Sequence, residues 1–138
     1  MTNVVVLIKQ APDPGSERKL SDDFTVDRSI DPWLEEINER AVEAALRIAE
    51  AGEGVEVEIL SVGPESSADS VRRGIAMGAA EAYIVSDDAL TGADVTLTGE
   101  VLAKLVEKQG YDLVIAGAES SDGGSGVIAP MVNTVEDA

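Results

Sequence analysis

The stretch Val4–Ile8 reads VVVLI, a continuous apolar run in which four of the five residues are β-branched. Strands of a parallel sheet are covered by helices on both faces, so they show continuous apolar runs instead of alternating ones. The stretch therefore predicts a central strand of such a sheet, with Lys9 at its carboxyl end.

Further short apolar runs follow along the chain and alternate with longer amphipathic segments. Strands are predicted at 55–62, 82–85 and 113–116, and helices at 32–51, 65–77 and 94–108. Strand–helix alternation of this length implies right-handed crossovers between parallel strands. The predicted fold class is α/β, an open doubly wound parallel sheet.

The helix boundaries and faces follow from local patterns. Asp31 is predicted as the N-cap of the first helix, with Pro32 at its first position. Residues 10–31 form a long polar excursion in which 24–26 is predicted as a short edge strand. The residues that spacing places on buried helical faces are Trp33, Ile37, Ala41, Ala44 and Ile48 in the first helix, and Leu97, Val101 and Leu105 in the third.

The end of the chain is predicted to differ from the rest. We expect residues 1–130 to form the α/β domain and 131–138 to form a polar, acidic tail. A helix over the last strand is then mostly missing, so the sheet is expected to be truncated after the fourth core strand.

Composition excludes several classes of function. The 138 residues include no cysteine and no histidine, which excludes disulfide frameworks, zinc enzymes and Ser-His-Asp hydrolases. The net charge of −17 disfavours binding to nucleic acid phosphates. No signal peptide and no apolar stretch of membrane-spanning length is evident. We expect a cytoplasmic protein that is neither membrane-embedded nor an enzyme.

The candidate ligand site lies where the predicted strands end. Ligands of open parallel sheets bind beyond the carboxyl ends of the strands, here residues 8–10, 61–64 and 117–126. The glycines of 117–126 allow several backbone N–H groups to face one phosphate at a helix N-terminus. Spacing alone leaves a phosphate site and a plain surface loop equally open. Asp122 is either a ligand-facing acceptor or a turn residue, and solvent-exposed roles for Lys9 and Asn38 also stay open.

With these segments placed, the chain resembles the N-terminal half of actinobacterial electron transfer flavoprotein β subunits. The resemblance fades after Pro130, and the acidic and glutamine positions of the family's phosphate loop are Gly124 and Val127 here. The matching segments are Asn3–Asp13, Ser16–Leu20, Ile37–Leu46, Ala76–Ala79 and Leu113–Gly117, followed by Glu119, Ser120, Asp122 and Gly123.

The resemblance implies a function in electron transfer. In that family a β subunit binds AMP structurally and pairs with an α subunit, which mainly holds the FAD. The pair carries electrons from dehydrogenases such as the acyl-CoA dehydrogenases to the respiratory quinone pool. Carried over by position, the implied AMP contacts are Leu7, Lys9, Asn38, Val62, Gly63, Asp122, Gly123, Gly124, Ser125, Gly126 and Val127.

Two other interpretations stay open. One is a stand-alone ATP- or AMP-binding domain similar to the universal stress proteins, which share this architecture. The other is an inactive truncated fragment with exposed apolar surface on its last strand, which would self-associate.

Overall fold

A computed structural model describes the backbone of residues 1–137 and the side chains of residues 1–134. Single 3₁₀ turns at Glu65–Ser67 and Asp88–Leu90 precede the second and third helices. The strands in this part of the chain are β1 (Thr2–Leu7), β2 (Gln10–Pro12), β3 (Pro32–Leu34), β4 (Val55–Val62), β5 (Glu81–Val85) and β6 (Leu113–Ala116). The helices are α1 (Glu36–Ala51), α2 (Ala68–Met77), α3 (Val95–Gln109) and α4 (Ile128–Asp137).

Four strands form a parallel sheet in the order β5-β4-β1-β6. The predicted central strand is confirmed, because β1 pairs with β4 on one side and with β6 on the other. Val4, Val5 and Val6 are completely buried, as the continuous apolar run predicts for a strand that is covered on both faces.

Alternate residues of β1 belong to two separate cores. Val4 and Val6 face a cluster that includes Val42 of α1 and Val71 of α2. Val5 faces the opposite cluster, which is built from α3 and α4. The sheet is therefore doubly wound, as predicted, with two helices on each face.

The predicted start of the first helix is wrong. Pro32 lies in β3, which pairs antiparallel with β2, and α1 begins at Glu36. Asp31 adopts a positive φ of 36° instead of capping a helix. Proline cannot donate to a sheet ladder but is tolerated in an edge strand, so the strand competes successfully with the helix here.

The predicted helical faces are also displaced. Ile48 and Leu97 remain 40% and 39% exposed, respectively, and Ala44 is exposed as well. Most of the buried positions in these two helices are occupied by small or short side chains instead. The buried residues are Asn38, Ala41, Val42 and Ala45 in α1, and Gly99, Leu102, Ala103 and Val106 in α3.

The excursion between β2 and β3 contains less strand than predicted. Val26 forms one isolated antiparallel bridge with Leu20, and residues 24–26 add no strand to the sheet. Phe24 has a positive φ of 63°, which is incompatible with an extended strand. The segment is a tight hairpin turn.

The fourth helix is present. Helix α4 crosses the division that the sequence placed after Pro130, so the backbone of residues 131–137 continues this helix. Val132 is 3% exposed and joins the α3 side of the core. Ile128 packs against the same cluster, so the first turns of α4 are docked on the α3 side of the sheet.

Among the described residues, no helix combines the length and the apolar character that crossing a bilayer requires.

Candidate functional site

A cleft of about 780 Å³ opens at the carboxyl ends of the parallel strands. It lies where strand order reverses, because the chain leaves β1 toward β4 on one side and reaches β6 on the other. Such reversal points are the usual ligand sites of doubly wound sheets, and the volume is typical of small-molecule pockets. Residues from β1, β4, β6 and the excursion line it together.

The cleft brings together most of the residues that the sequence singled out. Asp122, Gly123 and Gly124 belong to the same loop but are not among the lining residues. The predicted positions that do line the cleft are Leu7, Lys9, Asn38, Val62, Gly63, Ser125, Gly126 and Val127.

Asp122 is an internal anchor of the loop. Its side chain is 2% exposed, and its carboxylate accepts hydrogen bonds from Lys9 Nζ at 2.6 Å and from Arg28 Nη1 at 3.4 Å. The Gly123 N–H donates to the same carboxylate at 2.7 Å. Burial alone would raise the pKa of Asp122, but the bonds from Lys9 and Gly123, the charge of Lys9 and the Ser120 hydroxyl lower it to about 2. The carboxylate thus faces two cations instead of the cleft.

This lowered pKa has a consequence for stability. The carboxylate form of Asp122 is favoured in the folded state, so its contribution is complete above the unfolded pKa of about 4 and is lost toward pH 2. We expect Asp122→Asn to lower the free energy of unfolding by about 2 kcal/mol at pH 7, and by progressively less below pH 4. Urea unfolding of both proteins at pH 7, 4 and 3 measures this difference.

The matched control for this experiment is Asp69→Asn. Asp69 forms an exposed i,i+3 ion pair with Arg72, which contributes little to stability. Its substitution is expected to change the unfolding free energy by less than about 0.5 kcal/mol at each pH. If Asp122→Asn lowers the free energy of unfolding by the same amount at pH 7 and at pH 3, the lowered pKa of Asp122 does not explain its contribution to stability.

Ser121 is a second anchor of the loop. Arg18 donates to the Ser121 carbonyl at 2.7 Å and to its hydroxyl at 2.6 Å, and also to the Pro12 carbonyl at 2.7 Å. Glu35, which is 4% exposed, accepts from the Ser121 N–H at 2.7 Å and from its hydroxyl. These bonds connect the loop to the excursion and to the start of α1.

Sequence reasoning missed Arg18, Arg28 and Glu35. Both arginines lie in the polar excursion, where no periodicity indicates which side chains point inward. Glu35 directly precedes α1, and an acidic residue at that position usually interacts with the helix N-terminus. No local signal connects these three residues to a loop about 90–100 residues away, so only the tertiary structure reveals them.

Asn38 links α1 to the end of β1. Its side-chain amide donates to the Lys9 carbonyl at 3.2 Å, and the residue is 5% exposed. A Cβ on Gly117 would lie 3.0 Å from Ile37 and 3.4 Å from the Asn38 side-chain oxygen. Glycine therefore permits the close approach of β6 and α1 that forms the floor of the cleft.

Fewer backbone N–H groups of the glycine-rich loop are free of internal hydrogen bonds than the sequence predicts. The N–H groups of Gly123 and Gly124 donate within the loop, to Asp122 and to the Ser120 hydroxyl. In the part of the chain that the structure describes, the N–H groups of Ser125, Gly126 and Val127 form no hydrogen bond. They are exposed, line the cleft and precede α4, where the helix dipole favours an anion.

The charges that line the cleft are mixed. Lys9 and Arg28 are the cations, and both are already paired with Asp122. In the described residues, no group of three or more acidic side chains is placed to hold a metal ion. The carboxylates that line the cleft are Asp23, Glu35, Asp87, Asp88 and Glu119.

Comparison with known proteins agrees with this architecture. Residues 23–134, most of the chain, match the electron transfer flavoprotein domain. The chain belongs to this family. It is 50% identical to the electron transfer flavoprotein subunit beta of Mycobacterium tuberculosis, over 96% of this chain and 52% of that protein.

Two more distant relatives also match nearly all of this chain with about half of their own length. The electron transfer flavoprotein subunit beta of Megasphaera elsdenii is 32% identical over 94% of this chain and 51% of its own length. The caffeyl-CoA reductase-Etf complex subunit CarD of Acetobacterium woodii is 34% identical over 97% of this chain and 55% of its own length. The chain thus spans about half the length of the curated relatives that it matches.

Proposed function

We propose that this chain is the N-terminal domain of an electron transfer flavoprotein β subunit and that its cleft binds AMP as a structural ligand. The observation that carries the proposal is the set of three unpaired backbone N–H groups, from Ser125 to Val127, in a cleft at the switch point of the sheet. Family membership supports the assignment, and the loop offers a place for the phosphate without a dedicated lysine.

The cleft has the chemistry that a nucleoside monophosphate requires. The phosphate would accept from the N–H groups before α4, close to the loop that Lys9 and Arg28 hold through Asp122. Apolar side chains such as Leu7 and Val62 line other parts of the cleft. These residues therefore have the chemistry to position and retain a ligand.

The larger assembly is part of the proposal. An α subunit would make most of the contacts to the FAD, which supplies the redox chemistry when bound. The complete flavoprotein would carry electrons from dehydrogenases, such as acyl-CoA dehydrogenases, to the quinone pool. This chain would contribute a stably folded nucleotide-binding domain in the cytoplasm and would not itself be an enzyme.

Electrostatics favours AMP over ATP. In the part of the chain that the structure describes, five carboxylates and two cations line the cleft, so each additional phosphate charge increases the repulsion. Tight binding of ATP would instead favour a stress-protein-like function. We therefore expect AMP to bind more tightly than ATP in the absence of divalent metal.

The function is tested by denaturing the purified, folded protein, identifying any released nucleotide by mass spectrometry, and titrating the ligand-free protein by calorimetry. Release of AMP on denaturation, together with binding of AMP in the titration, supports the proposal. Released ATP, or tighter binding of ATP, favours the stress-protein interpretation. A folded protein that binds neither nucleotide contradicts the AMP site and favours the inactive-fragment interpretation.

The matched variants for the titration are Gly126→Ala and Gly54→Ala. Both glycines have a positive φ, 65° and 68°, and no atom approaches within 3.4 Å of an added Cβ at either position. Each variant should therefore lose about 1 kcal/mol of stability through backbone strain alone. We expect only Gly126→Ala to weaken AMP binding, by about tenfold, because its strain rotates the N–H groups that receive the phosphate. If the two variants bind AMP with equal affinity, the proposed role of the N–H groups of Ser125–Val127 in binding the phosphate is wrong.

A further inference from the structure

Phe24 is an exposed aromatic residue at the rim of the cleft. It lies in the turn of the excursion hairpin, 83% exposed, and it belongs to the residues that line the cleft. The chain contains one phenylalanine, one tryptophan and two tyrosines. Among the described lining residues, Phe24 is the only aromatic side chain.

The backbone at Phe24 is held in an unfavourable conformation. Its φ of 63° is rare for a bulky residue, and glycine or asparagine would be the usual choice. The Phe24 N–H donates to the Ser21 carbonyl at 2.9 Å, and the Ser21 N–H donates to the Thr25 carbonyl at 2.8 Å. Asp23 also accepts from the Thr25 hydroxyl at 2.7 Å. These hydrogen bonds hold the turn in this conformation.

Neither exposure nor strain at Phe24 contributes to folding. An exposed ring gains little from burial, and a positive φ opposes the native turn. A residue with these properties at the edge of a ligand cleft points to a contact outside the chain itself. The remaining apolar residues of the cleft are aliphatic, so they offer no flat face to a ring system.

We propose that Phe24 is the base-recognition residue of the cleft and that its ring stacks on the purine of the bound nucleotide. The inference rests on the proposed function, since it requires a nucleotide whose phosphate lies at Ser125–Val127. Stacking of a base on an aromatic side chain tolerates any purine. Phe24 is therefore expected to provide affinity for the base without distinguishing adenine from guanine.

The test compares Phe24→Gly with wild type by calorimetric titration with AMP and by NMR titration with ribose 5-phosphate, which lacks the base. We expect Phe24→Gly to weaken AMP binding by at least about tenfold, the loss of one stacked base, and to leave ribose 5-phosphate binding unchanged. Glycine accepts the positive φ, so the urea midpoint should not fall. Leu20→Ala, in the same hairpin but outside the cleft lining, is the control and should match wild type in AMP binding.

Two further variants separate stacking from simple apolar contact. Phe24→Trp retains a flat aromatic face and should bind AMP within about threefold of wild type or better, whereas Phe24→Leu should bind like Phe24→Gly. If wild type and Phe24→Gly bind AMP with equal affinity, this inference is overturned but the proposed function is not. Equal weakening for AMP and ribose 5-phosphate overturns it too, because the hairpin then acts on the phosphate. A folded wild type without AMP affinity overturns the proposed function, and this inference with it.

Discussion

Replacing Asp122 by alanine is expected to weaken AMP binding by about 30-fold, which corresponds to about 2 kcal/mol. The carboxylate does not line the cleft, so the effect would be transmitted through the loop. Without it, Lys9, Arg28 and the Gly123 N–H lose their common partner. The loop that presents the N–H groups of Ser125–Val127 then has to be ordered when the ligand binds.

Two opposing effects determine the size of this change. Removing the negative charge leaves Lys9 and Arg28 without their carboxylate partner, and both side chains remain in contact with water. At the dielectric of water, their attraction would strengthen phosphate binding by about 1 kcal/mol. Ordering even three loop residues costs about 3 kcal/mol in backbone entropy. The entropic cost is larger, so affinity should fall.

Calorimetric titration of the folded variant with AMP measures the change in affinity. Asp69→Ala is the control, because Asp69 lies in an exposed ion pair away from the cleft. That variant should bind AMP like wild type. If folded Asp122→Ala binds AMP within twofold of wild type or more tightly, the loop does not depend on Asp122 and the anchor assignment fails.

Replacing Leu60 by alanine is expected to lower the free energy of unfolding by about 3–4 kcal/mol. Leu60 is completely buried in β4, between β1 and β5, and it packs in the core with Val5, Leu102 and Val106. Removing three carbon atoms there creates a cavity that the neighbouring strands cannot close. Urea denaturation followed by far-ultraviolet circular dichroism measures the loss.

Leu20→Ala makes the same chemical change on the surface. Leu20 is 61% exposed, so its substitution should alter the unfolding free energy by less than about 0.5 kcal/mol. Similar losses in the two variants would contradict the placement of Leu60 at the centre of the sheet.

Most of the sheet could be predicted from local sequence. Continuous apolar runs correctly located β1 and β6, and the strand at 55–62 has the predicted bounds. The alternation with helices was sufficient to predict a doubly wound parallel sheet, because few other topologies accommodate it. The helical faces were less predictable. Large apolar residues dominate a periodic pattern, whereas small residues such as Ala45 and Gly99 occupy buried positions of these helices. Gly99 lies against Met131 of α4.

The candidate site was predictable in position but not in internal organisation. Glycines after the apolar strand β6 correctly indicated a loop at the switch point, and eight of the eleven predicted residues line one cleft. The orientation of Asp122 was not predictable, since its partners Lys9 and Arg28 are separated from it by 113 and 94 residues. Whether AMP occupies the cleft stays a prediction.

Local sequence specified the four strands of the parallel sheet, its doubly wound topology, the exclusion of cysteine and histidine chemistry, and the place of the glycine-rich loop. These properties depend on composition and on patterns within about 15 residues. The three-dimensional packing was needed to reveal that Arg18, Arg28 and Glu35 anchor the loop, that three N–H groups of the loop stay unpaired, and that Phe24 lies at the cleft rim. Such contacts join polar residues that are distant in sequence, and their geometry is set by the packing of the sheet and helices between them.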